Sequence, residues 1–209
     1  MAKVNGARLM DGPPYDFSEV ERCQDQAALA RIAENGDDLD ARVAAVGRLN
    51  DQAFLAQVAE NSEAWGVRMA AVKKLADQAA LTRVAANSGY GDVCVEAFKK
   101  LVNPDQMALA RIAANGADCR VRMIAVRRMT DQTALAWVAA NDDNPNVRRM
   151  AVERVDDQVL LAGIAENSKS FDVCTTAFER LVDPAQALLA RIAEEGKNWC
   201  SRMIAVENL

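Results

Sequence analysis

Thiol chemistry is the first possibility this sequence raises, because its 209 residues include five cysteines: Cys23, Cys94, Cys119, Cys174 and Cys200. A catalytic thiol normally needs a neighbouring base, and a zinc site or an iron–sulfur cluster needs about four clustered ligands. The chain has no histidine and no Cys-x-x-Cys pair, so neither arrangement can be assembled from neighbours in sequence. An odd number of cysteines does not suggest a disulfide framework. Reduced, structural thiols are expected, with no metal and no cofactor. Acidic residues fall mainly at helix starts and loop ends rather than as an acid–base pair, and no glycine-rich phosphate loop is present. No catalytic residue is therefore nominated, and the expectation is that the chain is not an enzyme.

Binding chemistry has more support. A column of cations, Arg48, Lys74, Lys100, Arg128, Arg154 and Arg180, recurs in register, with Lys73, Lys99 and Arg127 beside it. Such a column suits an acidic peptide or a phosphate backbone, and it also suits the negative end of a helix macrodipole. Trp137 stands where Arg31, Arg83, Arg111 and Arg191 stand elsewhere, which points it outward as a candidate hot spot. These seven residues, the column and Trp137, are the candidate partner-binding set.

The elements that position them follow from an internal repeat. Asp-Gln recurs at Asp25, Asp51, Asp77, Asp105, Asp131 and Asp157, and a degenerate Ala185-Gln186 follows. The spacings run 26, 26, 28 and then repeat, so a block of 80 residues occurs at 25–104, again at 105–184, and begins a third time at 185. Within each unit, Asp is a good helix N-cap before an apolar run such as Leu29, Ile32 and Ala33. Asn35, Asn61, Asn87, Asn115, Asn141 and Asn167 close these runs and are expected to do so in the left-handed conformation. A second run follows, with Val43, Val46 and Leu49 three apart. Its alanine recurs as Ala45, Ala71, Ala97, Ala125, Ala151, Ala177 and Ala205, as expected where two helices meet too closely for a larger side chain. Trp65, Phe171 and Trp199 share one place before this run and are expected to seal the joints between units.

A single hairpin cannot bury both its faces, so neighbours must stack. The predicted fold is all-α: an α-α superhelix, or solenoid, of about seven short helical hairpins. Residues 1–24 form an N-terminal arm, with Gly12-Pro13-Pro14 irregular, and a half-repeat cap from about Tyr15 to Gln24. Residues 25–209 form the solenoid.

The Asp-Gln caps, the Leu-x-x-Ile/Val-Ala first run and Val-Arg-x-x-Ala-Val in the second resemble the short HEAT-like repeats of bacterial proteins. Val67-Arg68-Met69-Ala70-Ala71-Val72 and Val121-Arg122-Met123-Ile124-Ala125-Val126 carry the resemblance, with weaker copies at Arg42, Arg148 and Arg202. It implies a right-handed superhelix whose second helices line a concave face. It also implies a ladder in which these arginines pair with carboxylates of the preceding turn, here Asp37, Asp38, Glu63, Asp118 and Asp143. In the third unit of each block, Cys94 and Cys174 replace the arginine and Phe98 and Phe178 follow, which reads as a compensated packing change.

A formal net charge of −5 and a pI near 4.9 argue against a general polyanion binder. No apolar run reaches the ~20 residues that a membrane span needs, and the N-terminus has no signal-peptide core. A cytoplasmic location is the default expectation. The functional expectation is a non-catalytic scaffold that engages a protein partner with an acidic surface on its concave face. Nucleic-acid binding through the basic column is the alternative, and an enzyme of the HEAT-like lyase type is the second. Met203, Ile204, Val206 and Leu209 continue the internal apolar pattern, so self-association through the C-terminal end is a further expectation.

Overall fold

The computed structural model describes residues 17–182 and 184–209. Among these residues there are fifteen helices and no strand. The chain falls into two compact units that meet between Val84 and Ala85. The first holds α1 (Phe17–Arg22), α2 (Gln26–Asn35), α3 (Leu39–Arg48), α4 (Gln52–Asn61) and α5 (Trp65–Lys74). Helix α6 (Gln78–Asn87) crosses the boundary. The second unit holds α7 (Gly91–Lys99), α8 (Gln106–Asn115), α9 (Cys119–Arg128), α10 (Gln132–Asn141) and α11 (Pro145–Val152). It continues with α12 (Gln158–Asn167), α13 (Phe171–Arg180), α14 (Gln186–Glu195) and α15 (Trp199–Glu207). The irregular arm expected around Gly12-Pro13-Pro14, with Tyr15, lies outside the described residues.

From α2 onward these helices are eight to ten residues long, too short to be stable alone in water. Packing must hold them. Within each unit first helices pair with the second helix that follows, as in α2–α3, α4–α5, α8–α9 and α10–α11, and hairpins stack, α2 on α4 and α3 on α5. This is an all-α array of helical hairpins. The repeated alanines Ala45, Ala71, Ala97, Ala125, Ala151, Ala177 and Ala205 are all fully buried, which is the close helix contact that their spacing implies. Leu55, Leu81, Leu109, Leu135, Leu161 and Leu189 are buried in the same register of the first helices. Each contributes about 1.5–3 kcal/mol of transfer free energy. Helix α1 packs on α3, with Val20 buried where Val46 stands one repeat later.

The Asp-Gln pair has two separate jobs. Asp25, Asp51, Asp77, Asp105, Asp131 and Asp157 each accept a first-turn amide of the following helix at 2.7 to 3.0 Å. Ala185 has no side-chain oxygen, and α14 starts without such a cap. The glutamine reaches one unit onward. Gln26 Oε1 accepts from the Asn50 and Asp51 amides at 2.7 and 3.1 Å. Gln52, Gln106 and Gln132 take the corresponding amides of Ala76 and Asp77, Thr130 and Asp131, and Asp156 and Asp157. Each glutamine thus fixes where the next cap sits, which sets the register of the stack.

The helix ends differ from the left-handed closure expected at the asparagines. Asn35, Asn61, Asn115, Asn141 and Asn167 remain helical, and the residue after each takes an extended or near-extended backbone, as at Gly36 with φ −62° and ψ 145°. Among the described residues only Asn103, with φ 48°, is a non-glycine in the left-handed region. The physical reason lies with the arginines. A left-handed cap serves to satisfy terminal carbonyls, and here a guanidinium from the second helix takes carbonyls at the helix end or in the loop just beyond it. Arg42 donates to Ala33 O at 3.0 Å and Glu34 O at 2.6 Å, and Arg68 to Ser62 O and Glu63 O at 3.0 and 2.7 Å. Arg122, Arg148 and Arg202 hold Gly116 O, Asp142 O and Gly196 O in the same way, at 2.7 to 2.8 Å.

The ladder expected from the preceding carboxylates is therefore corrected. The arginines bond mainly to backbone carbonyls, and where one reaches another unit its acceptor lies 20 residues on. Arg42 donates to Ser62 Oγ at 2.8 Å, and Arg122 grips Asp142 with two bonds of 2.7 and 3.0 Å. Asp38 and Asp118 instead cap their own helices.

Candidate binding surfaces

The cationic column sits at the ends of the second helices, and the structure ties most of it to backbone. Arg48 donates to Cys23 O at 3.2 Å, Arg154 to Met129 O at 3.0 Å and Arg180 to Val155 O at 3.2 Å. Lys74 reaches the carbonyls of Val46 and Gly47. Each cation thus meets the terminal carbonyls one unit back, where the helix dipole is negative. Arg180 adds an ion pair with Asp156 at 2.7 Å. Arg128 lies over the Phe98 ring, 5.2 Å from its centroid. Lys100 is half-buried, and that burial lowers its ammonium pKa. Lys73, Lys99, Arg127 and Arg149 stand beside the column and are exposed.

The two cysteines in the arginine register are fully buried. Cys94 Sγ donates to Ser88 O at 3.1 Å, and Cys174 Sγ contacts Ala165 O at 3.6 Å and Ser201 Oγ at 3.4 Å. Burial pushes the Cys94 thiol up to about 11, with the Asp118 carboxylate adding to the rise, and raises Cys174 as well. Thiols so placed are protonated and poorly nucleophilic at neutral pH.

Trp137 points outward, 51% exposed, as its register with Arg31 and Arg83 implies. It lines a cavity of about 290 Å³ with Gly116, Ala117, Asn141, Asp143 and the Arg122–Asp142 pair. Neighbouring first helices are joined by side chains at this register: Gln57 to Glu34 at 3.2 Å, Arg83 to Glu60 at 3.3 Å and Arg191 to Glu166 at 3.0 Å. Alanine stands at positions 114 and 140, so Trp137 rises from a stretch without those carboxylates.

Trp65, Phe171 and Trp199 do not seal joints. They are 62, 53 and 64% exposed, and Leu39, in the same register, is 53% exposed. Each is the first residue of its helix. Because side chains lean toward the helix N-terminus, one at that position hangs beyond the helix body with little beneath it. Gly91 holds this place in α7, and a methyl group added there would fall on the Asp118 carboxylate.

The two 28-residue units were visible in the sequence only as a change of spacing. Each ends in Leu-Val-x-Pro and opens a surface groove. One, of about 530 Å³, is lined by Leu101, Val102, Asn103, Pro104, Leu109 and Arg128. The other, of about 470 Å³, includes Val159, Gly163, Val182, Pro184 and Leu188. Among the described residues no group of three or more Cys, Asp or Glu is placed to hold a metal ion, and no helix is long and apolar enough to cross a membrane. No family model, curated protein or solved structure matches the chain.

Proposed function

We propose that this chain is a non-catalytic, HEAT-like scaffold of the cytoplasm that binds another protein along the second helices of its hairpins. The observation that carries this reading is that large apolar side chains, Leu39 and Trp65 in the first unit and Phe171 and Trp199 in the second, stand exposed at one register of the repeat. Aromatic side chains of this kind dominate interface energetics. Exposed cations in the last turns of second helices, Lys73, Lys99 and Arg127, keep an acidic surface in view as part of that partner. The column itself, Arg48, Lys74, Lys100, Arg128, Arg154 and Arg180, contributes charge there while most of its donors hold carbonyls.

Affinity capture from cells that make the protein tests the reading, with wild type compared against a Trp65→Ala, Phe171→Ala, Trp199→Ala variant. A protein retained by wild type and lost from the variant is the expected result. Nuclease-sensitive capture, lost on Lys73→Glu and Arg127→Glu, would favour the nucleic-acid alternative instead. Val206 and Leu209 are exposed and support self-association as a second contact. Sedimentation of wild type against a Val206→Glu, Leu209→Glu variant checks it, and a wild type that stays monomeric at micromolar concentration removes it.

A further inference from the structure

The starts of α3 and α5 in the first unit combine exposed apolar surface with a single sign of charge. Leu39 and Val43 stand one turn apart on α3, and Trp65 opens α5, which packs beside it. Asp37, Asp40 and Glu63 lie within two residues of Leu39 or Trp65 and are all exposed. The cations of the same stretch, Arg42 and Arg68, are outnumbered by Asp37, Asp38, Asp40 and Glu63. Arg42 is turned onto Ala33 O, Glu34 O and Ser62 Oγ, and Arg68 is buried against Ser62 O and Glu63 O. The same register in the second unit differs, because Lys169 and Lys197 flank Phe171 and Trp199.

We infer that the Leu39–Val43–Trp65 patch is a docking site for a basic, amphipathic segment of a protein partner. The inference rests on the protein-binding reading above and names the chemistry of one contact. Apolar residues of the segment would cover Leu39 and Val43. Its Arg or Lys side chains would meet the three carboxylates and stack on the Trp65 indole, whose face attracts a cation. Complementary charge of this kind sets which partner is accepted and how fast it arrives. A phosphate backbone would be repelled at this place.

The test uses two fluorescein-labelled peptides, one alternating Lys with Leu and one alternating Glu with Leu, and follows anisotropy on titration with full-length protein. The basic probe is expected to bind. Trp65→Ala should weaken it about tenfold, the scale of one hot-spot residue, and Trp199→Ala should leave it unchanged. A variant carrying Asp37→Lys, Asp40→Lys and Glu63→Lys, with its helical circular dichroism intact, should lose the basic probe and gain the acidic one. Binding of the basic probe that none of these substitutions alters would overturn the site. So would binding of the acidic probe alone to wild type, although protein binding through the cationic ends would then stand. If neither probe binds, the basic site is excluded and the scaffold reading rests on the capture experiment alone.

Discussion

Five second helices carry an arginine one turn in and two carry a cysteine, yet both kinds of side chain meet the same acceptors. Arg68 donates to Ser62 O and Cys94 to Ser88 O, six residues back in each case. Arg42 donates to Ala33 O and Cys174 contacts Ala165 O, nine residues back. The repeat therefore preserves the carbonyl to be satisfied and allows the donor to change. An arginine brings a full charge to the negative end of the first helix and, at Arg42 and Arg122, reaches the next unit. A thiol brings no charge, although Cys174 Sγ still touches Ser201 Oγ of the next unit at 3.4 Å, and a ring stands one turn on, as at the buried Phe98. The cysteine hairpins are also those followed by the wider joints at Leu101 and Leu181.

The largest expected effect breaks the comparison on the arginine side. Arg122→Ala takes both guanidinium bonds and the countercharge from the nearly inaccessible Asp142 carboxylate and leaves it the Asn144 amide. Removing one partner of a buried ion pair costs about 3 kcal/mol or more. Urea unfolding should report that loss, and a cost below about 1 kcal/mol would show that the pair is solvated.

On the cysteine side, Ala97→Leu places a larger side chain in the fully buried alanine register beside Cys94 and Phe98. Overpacking there should destabilise the protein by about 1–3 kcal/mol. A neutral result would mean that a thiol in place of arginine leaves room to spare.

A smaller effect sharpens the comparison through pH. The Cys94 thiol is raised from 9.0 to about 11, mainly by burial. Below about pH 9 it is protonated folded and unfolded, and its contribution is fully present. As pH rises through the folded value that contribution is lost, because the unfolded thiol ionises first. Wild type should lose stability more steeply between about pH 9 and 11 than Cys94→Ala does, measured by denaturant unfolding at each pH. Parallel curves would contradict the burial of the thiol.

Periodicity and caps made the helices, the alanine contacts and the hairpin count legible, because spacings of three and four and a recurring Asp each map directly onto local geometry. Three features were less accessible. The cap glutamines are uniform after every Asp, but their target lies a full unit away and depends on the stack. The arginine donors suggested carboxylates, whereas the helix C-termini offered closer carbonyls. The aromatics at Trp65, Phe171 and Trp199 were legible as a register and not as an exposed one, since periodicity does not reveal that a first-turn side chain overhangs its helix. Of the candidate set, Trp137 stood outward as its register implied, while the column's engagement with carbonyls depends on how one hairpin stacks on the last.

The central claim is that side chains recurring in register hold the array, leaving the exposed ones beside them for recognition. Denaturant unfolding of Arg154→Ala and Arg180→Ala against Lys73→Ala and Arg127→Ala tests it most directly. The first pair gives up bonds to Met129 O and Val155 O and should lose about 1–2 kcal/mol each. The second pair, exposed at the surface, should lose less than about 0.5 kcal/mol. Equal losses, or a larger loss from Lys73 and Arg127, would contradict the account.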